Sequence, residues 1–241
     1  MDKKSDFIYW FELSSNNIIK LNMNKKINKQ LKYEKALEYE IFIKEEYGFA
    51  KEKIQKAECI FDVWWHKWFF TKRCRNLNPN AKIHYFEPVG EFYNQAKQTL
   101  WNDKNIILNN YWISSKYGGW TILLNNEKTM QSSKYSSFLN PNWIEIDVNF
   151  ITLKDYLNQE NINKIDVLKM DIEWMEFEVL SSRSDFERWK ISNLIVEIHL
   201  LNDEIKSEWN QIFIKIKNIF WNVEIIDSGY RNEIFLLRAE K

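Results

Sequence analysis

The stretch Ile60-Phe61-Asp62-Val63-Trp64-Trp65-His66-Lys67-Trp68-Phe69-Phe70-Thr71 decides how the chain is read. With Cys59, its first residues form an apolar run, Cys59 to Val63, of the length expected for a buried strand. Its end opens a segment, Phe69 to Leu77, that reads as a helix. A tight turn between such a strand and such a helix is where open α/β sheets bring backbone up against a ligand. Turns of this kind favour glycine, because a side chain restricts the dihedrals and blocks close approach. Positions 64, 65 and 68, which should be small, are all tryptophan.

The composition sharpens this contradiction. A globular chain carries about 7% glycine, or roughly 17 residues at this length, whereas this one has 5 glycines and 12 tryptophans. The rest is ordinary. The 241 residues suffice for one α/β domain with modest extras. The 34 basic and 34 acidic side chains cancel, so no basic field argues for nucleic acid or an acidic membrane surface. Cys59 and Cys74 make no disulfide framework and read as reduced thiols of a cytoplasmic protein. No apolar run reaches the length of a membrane span, and the patch after Asp6 is too short for a signal peptide.

Outward from the central stretch the chain divides into an N-terminal arm with helices, residues 1–56, and an α/β domain, residues 57–241. The arm is Asn- and Lys-rich to residue 30, then carries helical periodicity over Gln30–Glu46 and Ala50–Lys56. Beyond it, strands are expected at Lys82–Phe86, Ile106–Asn109, Asp166–Met170 and Leu194–Ile198. The helices that alternate with them are Glu91–Leu100, Leu153–Gln159 behind an N-cap at Thr152, Glu176–Ser182 and Asp203–Phe220. Trp120–Leu124 and Glu145–Phe150 read as an antiparallel excursion, and Val223–Asp227 with Ile234–Arg238 as a closing antiparallel pair around Gly229-Tyr230. Alternation of this kind predicts a mostly parallel sheet with helices on both faces.

Position then shows where the tryptophans fall. Trp101 and Trp221 follow helix ends, where a left-handed C-cap glycine belongs. Trp143 completes what would be an Asn-Gly turn, Trp120 extends Gly118-Gly119, Trp112 follows a strand, and Trp174 sits at a strand-to-helix turn. With 64, 65 and 68 these make nine of the twelve. Trp189 and Trp209 fit helical faces and Trp10 is undecided. Nine misplaced indoles at roughly 1–3 kcal/mol each would consume a typical folding stability. The reading that follows is a gene whose UGA codons are printed as tryptophan and decoded by the source cell as glycine. The rival is a tryptophan-rich core.

With glycine at 64, 65 and 68, the run from Asp62 reads D-V-G-G-H-K-G. A dinucleotide fingerprint would need glycine at position 63, and Val63 excludes it. An acidic residue followed by x-G-x-x-x-G is the pattern that holds S-adenosylmethionine (SAM). Glu87, 25 residues after Asp62 and at the end of the second strand, is placed to accept from ribose hydroxyls.

Four blocks carry a family resemblance: Phe61 to Trp68, Tyr85-Phe86-Glu87-Pro88, Ile165 to Glu176 (I-D-V-L-K-M-D-I-E-W-M-E), and Ile195-Val196-Glu197-Ile198-His199. In order and spacing they resemble the FkbM family of SAM-dependent methyltransferases over roughly residues 45–240. The resemblance implies a Rossmann-like class I methyltransferase sheet, seven-stranded and mostly parallel, with an antiparallel last strand. It implies SAM as cofactor and methyl transfer to a hydroxyl of a sugar or related small molecule or glycan. The residues that would line the cofactor are Asp62, Trp64, Trp65, His66, Trp68, Glu87 and Pro88. Asn109–Trp112, with Asn110 and Tyr111 at its centre, would meet the adenine edge.

Asp171 and Glu173 end the fourth strand, and Glu197 and His199 the fifth, so all four reach the carboxyl edge where such sheets bind ligands. Asp171, Glu173 and His199 are the catalytic candidates, His199 as a base. Asp171, Glu197 and His199 could instead hold a divalent cation, and a strand-end histidine satisfying a loop carbonyl is the third reading. His66 reads as a turn residue and His84 as a mid-strand one. Ser132-Ser133, Ser136-Ser137, Tyr47 and Tyr230 could border an acceptor pocket or lie on the surface. A catalytically dead scaffold with a tryptophan-blocked pocket is the rival from another class. A nicotinamide-dependent oxidoreductase is disfavoured by Val63.

Overall fold

The computed structural model describes residues 34–36, 38–39, 41–45, 47–64, 67–125, 132–133, 143–172, 175–181, 191–200, 203–231 and 234–241. Residues 38–241 form one compact unit; of residues 1–37 only 34–36 are described, and they are helical. A 3-10 turn (Gly48–Ala50) leads into α1 (Lys51–Lys56), β1 (Cys59–Trp64), α2 (Phe69–Leu77), β2 (Lys82–Phe86), α3 (Gly90–Leu100) and β3 (Ile106–Asn109). The excursion follows as β4 (Trp112–Ser114), β5 (Gly118–Asn125), β6 (Ser132–Ser133) and β7 (Trp143–Thr152). After it come α4 (Leu153–Gln159), β8 (Ile165–Asp171), α5 (Glu176–Ser181), β9 (Ile191–His199), α6 (Asp203–Ile219), β10 (Asn222–Arg231) and β11 (Ile234–Glu240).

Seven strands make the central sheet in the order β10-β11-β9-β8-β1-β2-β3. All its pairings are parallel except those of β11, which runs against both β9 and β10. β1 is paired with β2 and β8, and the strand order reverses between β1 and β8, with β2 and β3 running on to one side and β9 to the other. That reversal opens a crevice at the carboxyl ends of the strands, where ligands of open α/β sheets bind. The expected mostly parallel sheet with an antiparallel last strand is present.

Helices cover both faces, and the register shows which residues meet them. Asp62 and Tyr85 are partners across β1 and β2, and so are Phe61 and His84. Because successive strand residues alternate, the first pair faces α2, where Thr71 bonds Asp62, and the second faces α4, where Tyr156 bonds His84. On the α4 side Phe61 packs 5.5 Å from Phe86 and 5.7 Å from Tyr156 between ring centroids. Burying such rings contributes about 1.5–3 kcal/mol each. Thr152 caps α4 as its sequence predicts, its Oγ1 accepting from Asp155 N at 3.0 Å.

The excursion is larger than its sequence suggests. β5 and β7 pair antiparallel as expected, but β4 joins β7 in parallel and β6 joins β5, giving a second sheet in the order β4-β7-β5-β6. Ser132 and Ser133 form β6, whereas Ser136 and Ser137 fall outside the described residues. The closing pair also differs. Gly229 and Tyr230 lie within β10, not in a loop, because the strand continues past a register shift between Asp227 and Arg231.

Two tryptophan positions depart from expectation. Trp101 is right-handed, φ −59° and ψ −25°, so no left-handed cap closes α3. Asp103 N instead bonds Leu100 O at 3.1 Å. Trp112 follows β3 as expected but also begins β4, and it is buried against Phe150 with ring centroids 5.9 Å apart. Trp101 and Trp221, in contrast, are 70% and 92% exposed.

His84 supplies a prediction. Its Nδ1 lies 2.7 Å from Tyr156 Oη, and burial, helped by Lys82, lowers its pKa from 6.5 to about 4. A histidine held neutral in the fold contributes stability that is present above its unfolded pKa near 6.5 and lost as the pH falls toward 4. The loss from this one group should reach about 3 kcal/mol. His84→Gln should flatten the urea-derived stability profile between pH 6.5 and 4 by that amount; parallel profiles for the two proteins would refute the assignment.

Candidate functional site

The register gathers polar side chains on one face of the sheet at its carboxyl edge. Tyr85, Asp62 and Lys169 are aligned across β2, β1 and β8. The alternation of strand residues brings Asp171 onto that face, and the pairing of Lys169 with Ile195 brings Glu197 and His199 to it from β9. Glu87 follows Phe86 at the end of β2. Asp62 and Glu87 are completely buried, Lys169 is 1% exposed, and Asp171 and His199 are also buried. Ionisable groups are seldom placed so deep unless they are paired or serve a ligand.

Asp62 is the centre of this row. Thr71, from the first turns of α2, donates to its Oδ2 at 2.6 Å, but Oδ1 is buried and has no hydrogen-bond partner among the described residues. Burial pushes the carboxyl up to about 6, against the opposing pull of Lys169 and the Thr71 hydrogen bonds. A buried acceptor left unmatched costs about 1–3 kcal/mol, so this oxygen is suited to a cationic donor brought by a ligand. The Lys169 ammonium lies 3.4 Å from Asp171 Oδ2 and 5.8 Å from the centre of the Tyr47 ring. Tyr47 is itself buried against Phe70, centroids 5.1 Å apart, so the aromatic left open as a surface residue is part of the wall on this face.

At the next strand end Glu87 Oε1 accepts from Val89 N at 2.8 Å, turning the chain into α3. Asn110 Nδ2 donates to the carbonyls of Glu87 and Pro88 at 2.8 and 2.9 Å, tying the exit of β3 to that of β2. Glu87, Pro88, Asn110 and Tyr111 are thereby held together. Beside them Val63, Pro88, Tyr111, Trp112 and Ile172 line a small apolar cleft of about 10 Å³. Position 64 ends β1 in register with Asp171. Trp68 precedes α2, its Nε1 buried without a hydrogen-bond partner among the described residues and the Lys67 ammonium 4.8 Å from its ring. Trp65 and His66 lie outside the described residues.

Of the catalytic candidates, Asp171 and His199 are brought to this edge, and Glu173 lies outside the described residues. His199 Nδ1 is 3.2 Å from Glu176 Oε1, and its Nε2 is 3.8 Å from Glu197 Oε1. Among the described residues no three His, Cys, Asp or Glu side chains come together as a metal-holding group, so Asp171, Glu197 and His199 do not form one. Asp171 is turned instead toward Lys169. Sequence reasoning missed Thr71, Lys169 and Glu176. Lys169 had a signal in its two-residue spacing from Asp171, which puts both on one strand face; Glu176 had its place at the end of the block Ile165 to Glu176 and in a helical first turn.

Residues 55–222 match the family described as the Methyltransferase FkbM domain. No curated protein matches the chain. Among solved structures it is similar to a Streptococcus mutans protein in complex with SAH, at 11% identity over 81% of this chain and 97% of that one, with a TM-score of 0.47. It is similar also to an O-methyltransferase from Bacillus cereus in complex with SAH (10% identity, 92% and 94% covered, TM-score 0.46). A third similar structure is the Methanococcus jannaschii fibrillarin pre-rRNA processing protein (11% identity, 78% and 68% covered, TM-score 0.42).

Proposed function

The chain belongs to the methyltransferase FkbM family, and from that premise we propose that it is a SAM-dependent O-methyltransferase acting on a hydroxyl of a sugar or related small molecule. The observation that carries the reading is the buried, unmatched Oδ1 of Asp62 at the switch point of the sheet. An ammonium is the group such an oxygen fits, and the amino-acid end of SAM carries one. Asp62 would hold that end, Glu87 the ribose hydroxyls, and Pro88, Asn110 and Tyr111 the base, beside the apolar cleft. Backbone at 64, 65, 66 and 68 would close around the remainder.

When bound, SAM supplies a methyl group on a sulfonium. The methyl would go to the acceptor oxygen, and the acceptor's O–H proton would need a base from the chain. Positioning accounts for much of the rate in such an in-line displacement. We assign Asp171, Glu173 and His199 to the acceptor, of which Asp171 and His199 are the ones described at the strand edge. The acceptor is taken as a small molecule or glycan because equal numbers of acidic and basic residues offer no general field for nucleic acid. Free Cys59 and Cys74 suit a cytoplasmic setting, and no described helix is long and apolar enough to cross a membrane. We assign the catalytic domain to residues 57–241 and an N-terminal arm to 1–56. Incubation with methyl-labelled SAM and a panel of glycosides and other alcohols should yield a labelled methyl ether. Label found only on nitrogen, carbon or RNA would contradict the O-transfer.

The same reading takes positions 64, 65, 68, 101, 112, 120, 143, 174 and 221 as glycine in the native protein, encoded by UGA. Support comes from the buried, unbonded Trp68 Nε1 and from indoles at 101 and 221 that contribute little to the core. Position 112, where the printed indole is well packed, is the discriminating one. Peptide masses of protein from the native host should show glycine there and at the other eight. A mass matching the printed 29.5 kDa chain would eliminate the recoding.

A further inference from the structure

Asp62 and Tyr85, partners across β1 and β2, stand side by side on the face turned toward α2. Both are completely buried, and Asp62 Oδ1 and Tyr85 Oη each lack a hydrogen bond of normal geometry among the described residues. They therefore do not bond each other, and their needs are opposite. Oδ1 of a carboxylate only accepts, whereas a buried tyrosine hydroxyl ordinarily finds a partner to which it donates. Tyr85 keeps its proton for that purpose. Burial first, then the carboxylates of Glu87 and Asp62, push the phenol well above its ordinary value of 10. Of the two acids Glu87 acts on it more strongly. Glu87 comes two residues after Tyr85, just past the end of β2, and the alternation of strand residues puts it on the same side.

A sugar hydroxyl is both donor and acceptor, and a carboxylate answers only its donor half. We propose that Tyr85 is a cofactor-contacting residue, whose O–H donates to a ribose hydroxyl oxygen while Glu87 accepts the hydrogen bond from that same hydroxyl. The proposal rests on the methyltransferase reading above. Tyr85 and Glu87 together then read the sugar as donor and acceptor at once, and a cofactor analogue without that hydroxyl leaves both of them unmatched. The carboxylate of the cofactor's amino-acid end is the other acceptor a ligand would bring to Tyr85. Beside Glu87 and Asp62 it would face two like charges, which a neutral hydroxyl does not. The two unmatched atoms thus divide the ligand between them, Asp62 Oδ1 taking the ammonium and Tyr85 Oη the ribose.

The test is isothermal titration of the full chain carrying Trp64→Gly, Trp65→Gly and Trp68→Gly, with SAH and with its 2′-deoxy and 3′-deoxy forms. This parent should bind the form lacking the contacted hydroxyl about 10-fold more weakly than SAH. Adding Tyr85→Phe should weaken SAH by about 5- to 10-fold and narrow the gap between SAH and that form by the same factor. A tyrosine that only fills space would cost SAH and both deoxy forms equally. That result overturns the proposal, and so does a parent that binds all three ligands alike. Tyr85→Phe should also unfold at no lower urea concentration than the parent, because the hydroxyl it removes is buried without a partner. A variant that unfolds earlier and keeps the gap has lost a structural bond instead, which overturns the proposal too. Failure of the parent to bind SAH defeats the methyltransferase reading and this inference with it, whereas SAH binding with an unchanged gap defeats this inference alone.

Discussion

Lys169→Met should cost about 3–5 kcal/mol of folding stability at pH 7, the penalty of removing one partner from a buried ion group. Lys169 is 1% exposed, lies 3.4 Å from Asp171 Oδ2, and is the main opposing charge for the fully buried Asp62. Without it the two carboxylates lose the ammonium that offsets their desolvation. The pH dependence identifies the cause. Burial already raises the Asp62 pKa to about 6, and loss of the ammonium raises it further. A carboxyl with a raised folded pKa gives stability that is present below its unfolded value near 4 and lost as the pH rises through the folded one. The penalty in Lys169→Met should therefore shrink between pH 7 and 5, and adding Asp62→Asn should recover part of it. A penalty independent of pH in chemical denaturation would assign the loss to packing of the lysine stem instead.

Asp62→Asn should weaken SAH binding by about 10- to 100-fold, the range expected when a charge-assisted hydrogen bond to a ligand cation becomes a neutral one. The asparagine keeps the shape and can still accept from Thr71 Oγ1, which bonds the aspartate at 2.6 Å. What it lacks is the charge at the oxygen that now has no partner. Because an ammonium favours the ionised carboxylate, affinity in the parent should rise as the pH increases through about 6, and Asp62→Asn should lose that slope. Isothermal titration of both proteins, each carrying glycine at 64, 65 and 68, at pH 5 and 7.5 measures it. Equal slopes would place the ammonium elsewhere.

The architecture was legible because its signals are local. Cys59–Val63, Lys82–Phe86 and Asp166–Met170 are largely apolar runs of strand length, and each is followed by a helix. Thr152 announced the start of α4 by the chemistry of its hydroxyl. The extent of the excursion was not legible, because β4 and β6 span three and two residues and exist only through pairing with distant strands. Trp101 shows the limit of cap rules, since the helix before it closes with right-handed backbone and a bond from Asp103 N. In the site, Asp62 and Glu87 could be named from strand ends, where chemistry concentrates in this sheet type. Glu176 could not, because its contact with His199 spans 23 residues and depends on how α5 docks beside β9. Lys169 reads in sequence as a polar interruption of an apolar strand, and its meaning appears only when the register sets it beside Asp62.

The most direct test is titration of SAH into the chain carrying Trp64→Gly, Trp65→Gly and Trp68→Gly. Saturable one-to-one binding with Kd on the order of micromolar, as for enzymes near their working substrate levels, is the predicted result. An absence of binding at millimolar SAH would contradict the account and leave the fold without a cofactor to serve.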